Sequence, residues 1–188
     1  MDAGVTSVSA LAERVLADDP RLGTVRLVCV DGPAGSGKTT LAGRLADQLG
    51  ATVLHLDDMY EGWSGLDGLG ERLEEQVLAP LAAGAPARYQ RYDWAGARFA
   101  DWVDLPVPRV LVIEGCGSAA QAVAQRAGLV VFVEAPAQVR LERGVARDGE
   151  ALRPEWLRWM DLEATHFTRE RTRERADVTV DGLVPLEP

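Results

Sequence analysis

Residues 25–40 read Val-Arg-Leu-Val-Cys-Val-Asp-Gly-Pro-Ala-Gly-Ser-Gly-Lys-Thr-Thr. The stretch opens with a mostly apolar run, and the residues after Gly37 have the spacing of an amphipathic helix that continues to Leu49. Between them lies Gly32-x-x-x-x-Gly37-Lys38-Thr39, the complete P-loop pattern in its strand–loop–helix setting. The stretch therefore predicts an α/β fold with a site for the phosphates of ATP or a related nucleoside triphosphate.

Each residue type in this loop suits phosphate binding. The glycines let the backbone curl until successive N–H groups point at phosphate oxygens, and the helix that follows adds its positive end. Lys38 is expected to reach the β and γ phosphates, the Thr39 hydroxyl to ligate Mg²⁺, and Thr40 to donate to the α phosphate. We therefore predict ATP and Mg²⁺ as ligands. The predicted ATP-binding residues of the loop are Gly32, Ala34, Gly35, Ser36, Gly37, Lys38, Thr39 and Thr40.

The composition limits the size and the partners of the protein. Its 188 residues, 47% of them hydrophobic, suit one core, so we predict a single domain over residues 1–188. The net charge of −9 would repel a polyanion and disfavours nucleic acid as a partner. No apolar run is long enough to cross a membrane, and the polar N-terminus is unlike a secretory signal. We expect a cytoplasmic protein, monomeric or homodimeric, that acts on a small molecule.

Apolar runs alternate with helical patterns along the chain. The runs are nearly continuous in Val, Leu and Ile, which is typical of strands covered on both faces and predicts a parallel sheet between two layers of helices. The predicted strands are Val25–Val30, Thr52–Leu56, Val110–Ile113, Leu129–Val133 and Val178–Val180.

Helices are predicted at both ends and within a long insert. The first, Val5–Ala17, lies in an N-terminal segment of residues 1–20. Another, Leu69–Ala83, belongs to an insert of residues 57–108 that we expect to face the substrate. A last helix after Pro154 is predicted to bury one face, which carries Trp156, Met160, Ala164 and Phe167.

Acidic residues follow two of the predicted strands. Ligands of open α/β sheets bind at the carboxyl ends of the strands, where Asp57, Asp58 and Glu114 stand. Asp57 would be ionised at neutral pH and could accept a proton from a substrate hydroxyl. Glu114 could hold Mg²⁺ together with Thr39, or contact the substrate. The alternative is that these acids cap helices or face solvent.

Three arginines follow the fourth predicted strand at spacings of three and four, which places Arg140, Arg143 and Arg147 on one helix face. Such a cluster could clamp a polyphosphate and stabilise transition-state charge, so we predict an arginine lid over residues 137–153. The alternative is a solvated face with ion pairs to neighbouring acids.

The insert contains Tyr89-Gln-Arg-Tyr-Asp-Trp94, followed by Arg98. Its rings, with acidic and basic neighbours, could hold a flat base or a sugar, and could equally pack under a long loop. We predict substrate binding by Tyr92, Asp93, Trp94 and Arg98.

Together these motifs resemble the uridine kinase-like branch of the P-loop small-molecule kinases. The resemblance covers residues 25–182 and rests on the P-loop, Leu56-Asp-Asp-Met-Tyr60, Tyr92-Asp-Trp94 with Arg98, Ile113-Glu-Gly115 and the arginine segment. It implies a three-layer P-loop fold with a five-stranded parallel sheet in the order 2-3-1-4-5. It also implies roles for single residues: Asp57 as the base, Tyr60 beside it, Arg143 and Arg147 on the phosphates, and Arg140 and Asp181 near the adenine. The family's His shortly after Tyr-Asp is absent from residues 94–98.

The sequence therefore predicts an ATP-dependent kinase for a hydroxyl of a small metabolite, with a nucleoside or nucleoside-like acceptor first in line. Its predicted catalytic residues are Lys38, Asp57, Arg143 and Arg147. Asp58, Tyr60 and Glu114 complete the predicted acceptor site. Two alternatives stay open: a nucleoside monophosphate kinase using Arg91 and Arg98, and a regulatory ATPase that acts on a protein partner.

Overall fold

The computed structural model describes residues 7–184, 186 and 187. Its strands are β1 (Arg26–Asp31), β2 (Thr52–His55), β3 (Ala87–Asp93), β4 (Arg98–Leu105), β5 (Val110–Glu114), β6 (Ala127–Glu134) and β7 (Val178–Asp181). Five of them form one parallel sheet in the order β2-β5-β1-β6-β7, and β3 pairs only with β4. Counted within the main sheet, this is the predicted order 2-3-1-4-5. The predicted fold is therefore confirmed.

Helices cover the sheet on both sides. They are α1 (Val8–Ala17), α2 (Lys38–Leu49), α3 (Leu69–Leu73), α4 (Ala79–Ala82), α5 (Gln121–Ala124), α6 (Ala137–Asp148), α7 (Arg153–Glu170) and α8 (Thr172–Arg175). The predicted start of the first helix, Val5, lies outside the described residues. None of the described helices is long and apolar enough to span a bilayer.

Two apolar layers form because successive side chains of β1 point to opposite faces. Val28 and Val30 pack in the layer beneath α1 and α2, with Leu11 and Leu45. Leu27 and Cys29 pack in the other layer, with residues of α3, α4 and α7. Burial on both sides explains why these strands read as continuous apolar runs.

The helix predicted over Leu69–Ala83 has a register change in its middle. A π-helical segment, Glu74–Leu78, joins α3 to α4, and Pro80 stands in the first turn of α4. Because proline has no backbone N–H, the regular hydrogen bond is lost there, and a π segment accommodates that loss.

The second half of the insert is a β-hairpin that the sequence did not predict. β3 and β4 are antiparallel, with Asp93 opposite Arg98 across a turn of four residues. Its strands mix polar and apolar residues and are only partly buried, so the continuous apolar pattern that identified the main sheet is missing.

The buried face of α7 also differs from the prediction. Trp156 is buried as expected, but Ala164 is exposed, and Met160 and Phe167 are half-buried. The buried positions are Trp156, Trp159, Glu163 and His166. The observed face differs because it includes the polar side chains of Glu163 and His166, which an apolar pattern does not identify.

Candidate active site

The P-loop lies at the carboxyl end of β1, in the centre of the sheet. Gly32 has φ +134°, and a side-chain carbon there would lie 2.1 Å from the carbonyl oxygen of Val133 on β6. The loop therefore closes tightly on β6, and the first turn of α2 presents its free N–H groups to the same space.

Lys38 is buried at the start of α2, and its ammonium group donates to the carbonyl of Pro33 over 2.9 Å. Burial disfavours the charged form, but the Cys116 sulfur and the carboxylates of Glu114 and Glu163 outweigh it, so the pKa of Lys38 is raised. A permanent positive charge is thus held against the inner face of the P-loop.

Glu114, at the end of β5, is buried and faces Thr39. Its Oε1 accepts a hydrogen bond from the Thr39 hydroxyl over 3.3 Å and lies 2.6 Å from His55 Nδ1. Thr39 and Glu114, predicted as metal ligands, therefore stand together. Sequence reasoning assigned no role to His55, although its position one residue before the predicted strand end could have signalled one.

Asp57 lies in a short 3₁₀ turn, Leu56–Asp58, that follows β2, and it lines a cavity beside the P-loop. It retains solvent access, yet crowding by surrounding atoms and the nearby Glu114 charge raise the pKa of the Asp57 carboxyl. Its backbone carbonyl accepts from the Trp94 indole N–H over 2.9 Å, which ties the hairpin turn to this strand end.

A cavity of about 610 Å³ opens between these residues. Polar groups of the P-loop and of the strand ends line it together with aromatic rings. Its wall includes Lys38, Thr39, Asp57, Asp58, Tyr60, Trp63, Trp94, Glu114, Arg147, Trp156 and Trp159. We call this space the acceptor cavity.

A second cavity of about 360 Å³ adjoins it on the other side of the P-loop and shares Gly35, Lys38, Thr39, Arg147 and Trp156 with it. We call it the nucleotide cavity. Its wall also includes four predicted ATP-site residues, Gly37, Thr40, Arg143 and Asp181.

Arg143 joins two parts of the nucleotide cavity. It donates to the carbonyls of Gly35 in the P-loop and Gly182 after β7, over 3.1 and 3.2 Å. Gly182 lies so close to the P-loop that a side-chain carbon there would be 1.8 Å from the carbonyl oxygen of Ser36.

Arg147 lies between the two cavities. Its Nε donates to Asp148 Oδ1 over 2.7 Å, and a terminal nitrogen donates to Asp148 Oδ2 over 3.0 Å. The same Oδ2 also accepts from the Trp156 indole N–H. The side chain of Arg147 is 65% exposed, so an anion in either cavity has access to it.

The structure contradicts two predicted roles at the edge of the P-loop. Arg140 lines neither cavity; it is paired with the buried Glu163 of α7 over 2.6 Å and also donates to the carbonyl of Ala34. Glu163 in turn accepts from the Ala34 N–H over 2.8 Å. Arg140 is therefore engaged with α7 and the P-loop backbone rather than with either cavity, and the Ala34 N–H is bonded to Glu163. Sequence reasoning missed Glu163 because it stands in an amphipathic helix without a motif.

The structure also places part of the predicted acceptor site away from the cavity. Tyr92 packs edge-on against Trp94 and Phe99, and Asp93 accepts from the Ala95 N–H in the hairpin turn. Asp93 and Arg98 stand opposite each other in the backbone ladder of β3 and β4, next to the hairpin turn. None of Tyr92, Asp93 and Arg98 lines the acceptor cavity, because the hairpin turn directs only Trp94 toward it.

Tyr60, in contrast, lines the cavity as predicted, but its hydroxyl is already used. It donates to the carbonyl of Cys116 over 2.9 Å, and burial holds the pKa of the phenol well above its ordinary value. Only the ring of Tyr60 is available to a ligand. Sequence reasoning did not assign Trp63, Trp156 and Trp159 to the site, because tryptophans that belong to no motif are typical of a core.

The residues present fit a triphosphate and a magnesium ion. The nucleotide and acceptor cavities meet at Lys38, Thr39 and Arg147, which supply two cations and a hydroxyl. Among the described residues no group of three or more acidic, His or Cys side chains could hold a metal unaided. Thr39 and Glu114 would therefore hold Mg²⁺ only together with phosphate oxygens and water, which is how this ion commonly binds.

Comparison with known proteins agrees with this architecture. The family described as "AAA domain" matches residues 28–166, well over half of the chain. The structure of a possible uridine kinase from Bacillus stearothermophilus superposes with a TM-score of 0.68 at 22% identity, over 93% of this chain and 97% of that one. This likeness confirms the fold that the resemblance to uridine kinase-like proteins implied.

Two curated relatives match a shorter segment. A cytidylate kinase from Nitratidesulfovibrio vulgaris is 44% identical over 62 residues, 32% of this chain and 26% of that protein. A bifunctional pantoate ligase/cytidylate kinase from Synechocystis is 39% identical over 61 residues, 31% of this chain and 12% of that protein. The matched segments thus span about a quarter and about an eighth of those relatives.

Proposed function

We propose that this chain, which belongs to the AAA domain family, is a small-molecule kinase that transfers the γ-phosphoryl group of ATP to a hydroxyl of a metabolite. The observation that carries the proposal is the acceptor cavity, which the P-loop residues Lys38 and Thr39 line together with Asp57. A phosphate donor and a proton acceptor that line one cavity suit phosphoryl transfer.

The donor half lies in the nucleotide cavity. The first turn of α2, with Lys38 and Thr40, binds the phosphates, while Arg143 and Asp181 border the rest of the nucleotide. Bound Mg²⁺ neutralises charge on the phosphate oxygens. Lys38 is suited to the γ phosphate because its acidic surroundings keep it protonated at any physiological pH. Arg147 adds a second cation at the boundary of the two cavities.

The acceptor half is organised by Asp57. The acceptor oxygen attacks the γ phosphorus, the bond from that phosphorus to the leaving ADP oxygen breaks, and the hydroxyl proton passes to the Asp57 carboxylate. A raised pKa makes Asp57 a better proton acceptor than an ordinary surface carboxylate. The Trp94 indole holds the backbone at Asp57 and thus helps to fix the position of the base.

The arrangement favours an unphosphorylated acceptor over a nucleoside monophosphate. Arg91 bonds to Asp101 on the exposed side of the hairpin, and Arg98 lies at its turn, so neither lines the acceptor cavity. Two carboxylates, Asp57 and Asp58, do line it and would repel a phosphate that already stood on the acceptor.

The regulatory ATPase remains the alternative from another class, since a P-loop alone does not name a reaction. A cavity of about 610 Å³ beside the P-loop is of the size that binds small molecules, which favours a metabolite acceptor. The single-domain extent, the cytoplasmic location and the monomeric or homodimeric state stay predictions.

A screen for acceptor-dependent ADP release tests the proposal. Purified protein with Mg²⁺ and ATP is offered nucleosides, nucleoside monophosphates, sugars and hydroxylated vitamins, with Lys38→Ala as the blank. We expect release with an unphosphorylated acceptor, and a loss of about 10²–10⁴-fold in Asp57→Asn while ATP binding is retained. Turnover that needs a protein and no metabolite, or full activity of Asp57→Asn, contradicts it.

A further inference from the structure

We infer that Arg72 is a positioning residue of the phosphoryl transfer, which holds the β3–β4 hairpin and the 3₁₀ turn that carries Asp57 in one fixed relation. It acts through a row of packed rings, Phe99, Tyr92 and Trp94, and we call these four side chains the brace. The inference rests on the proposed function, because Asp57 is the proton acceptor that the brace positions. It also gives a role to Tyr92, which the sequence assigned to substrate binding and which lies outside the wall of the acceptor cavity.

Arg72 lies in α3, and its guanidinium group contacts the turn and the hairpin at once. One terminal nitrogen donates to the backbone carbonyl of Met59, directly after the turn, over 2.9 Å. The guanidinium carbon lies over the ring of Phe99 in β4, 4.3 Å from its centroid. The other terminal nitrogen is 3.4 Å from Glu61, whose side chain is 67% exposed, whereas that of Arg72 is 17% exposed. The contacts to Met59 and Phe99 therefore determine the position of Arg72, because an exposed ion pair contributes little.

The rings connect Arg72 to the turn a second time. Tyr92 packs edge-on against Phe99 and against Trp94, with centroid distances of 5.2 and 5.4 Å. The Trp94 indole donates to the carbonyl of Asp57 over 2.9 Å. The brace thus bonds to the backbone carbonyls of residues 57 and 59, and two attachments restrain the rotation of the turn more than one would.

The base of the hairpin is anchored without the brace. Tyr89 and Leu105 are buried in the apolar layer that includes residues of α7, and the Gln90 N–H donates to the side chain of Gln76 over 2.9 Å. Loss of Arg72 should therefore release the tip of the hairpin and leave the rest of the fold in place.

The tip forms part of the acceptor cavity. Trp94 lines that cavity together with Asp57, and it also packs against Trp63 with a centroid distance of 5.6 Å. Trp63 in turn lies 6.1 Å from Trp156 and 6.3 Å from Trp159 of α7. A released tip would displace the base and the wall beside it together, and a small displacement of a reacting group is costly in rate.

Hydrogen–deuterium exchange of the protein without ligand tests the brace. The backbone N–H groups of Met59 and Tyr60 both bond to the carbonyl of Leu56 and report on the turn. In Arg72→Ala they should exchange about tenfold faster, because a hydrogen bond and a cation–π contact together are worth about one power of ten. The N–H of Leu41, which bonds to Gly37 after the P-loop, should exchange at its original rate.

Two further variants separate the brace from general stability. Arg72→Lys keeps a cation over Phe99 and a donor near Met59, so it should restore most of the protection of the turn. Arg88→Ala is the matched control, because Arg88 lies over Trp102 of the same hairpin, outside the acceptor cavity, and should leave the turn unchanged.

Kinetics separate positioning from binding. With the best acceptor of the ADP-release screen, Arg72→Ala should lower kcat about tenfold and leave the affinity for a non-hydrolysable ATP analogue unchanged, and Arg72→Lys should recover most of kcat. Arg88→Ala should change neither quantity.

Three results overturn the inference: equal exchange of the turn in Arg72→Ala and Arg88→Ala, faster exchange that extends equally to Leu41, or an unchanged kcat in Arg72→Ala. Its failure differs from that of the proposed function. Turnover that depends on Lys38 and Asp57 but not on Arg72 leaves the kinase intact and removes the brace. Faster exchange of the turn in a protein that phosphorylates no metabolite does the reverse.

Discussion

Replacement of Glu163 by Ala should reveal how strongly the P-loop depends on α7. Glu163 is 1% exposed, pairs with Arg140 over 2.6 Å and accepts from the Ala34 N–H. Removing one partner of a buried ion pair costs about 3–5 kcal/mol, because the remaining charge stays buried without compensation. For a domain of this size each kcal/mol lowers the melting temperature by about 2–4 °C, so a loss of about 6–20 °C is expected.

Thermal denaturation followed by circular dichroism measures this loss, and calorimetry with a non-hydrolysable ATP analogue measures its effect on the site. Glu155→Ala is the matched control, because Glu155 forms an exposed pair with Arg158 on the same helix and should cost less than about 1 kcal/mol. Glu163→Gln retains an acceptor for the Ala34 N–H, so its melting temperature should lie between those of Glu163→Ala and Glu155→Ala. A change of 1 kcal/mol shifts the melting temperature by at least about 2 °C. If the melting temperatures of Glu163→Ala and Glu155→Ala differ by less than that, the Arg140–Glu163 ion pair does not stabilise the P-loop.

Three other predictions concern the site itself. The pKa of Asp57 is raised, and a base works only when ionised, so kcat/KM should rise with pH through a midpoint above the ordinary aspartate value of about 3.9; a rate that is flat across that range contradicts the assignment. His55→Leu removes the partner of Glu114 and should weaken Mn²⁺ binding about tenfold, measured by calorimetry with a non-hydrolysable ATP analogue; His55→Asn, which keeps an N–H, should restore it, and equal affinities in all three proteins would rule out the role. Gly182→Ala places a carbon 1.8 Å from the Ser36 carbonyl and should weaken binding of the same analogue, whereas Gly43→Ala, in open space on α2, should not; no difference between them would mean that the loop after β7 moves freely.

The sequence predicted the sheet well because the apolar pattern of buried strands is local. Val110–Ile113 and Leu129–Val133 differ from the observed strands by at most two residues at an end. The P-loop was equally predictable, because its glycines and Lys38 all lie within one short segment and form a local motif. The strand-end acids Asp57 and Glu114 followed from topology, because parallel strands end at one edge.

The acceptor wall could not be predicted in the same way. Trp63, Trp94 and Trp156 are far apart in sequence and meet only in the folded chain. Arg140 and Arg143 share a helix face, yet one packs inward on Glu163 and the other bonds to two carbonyls. Helical spacing identifies a face, and the residues that face it from other elements decide what each side chain does.

The close packing of Trp63 with three other indoles has an optical consequence. Rings whose centroids lie 5.6–6.3 Å apart exchange excitation energy, so their emission reports on the whole group at once. The fifth tryptophan, Trp102, lies outside the cavity as an internal reference. Occupation of the cavity should change the light emitted by this group, so the unlabelled protein can report the binding of a ligand there.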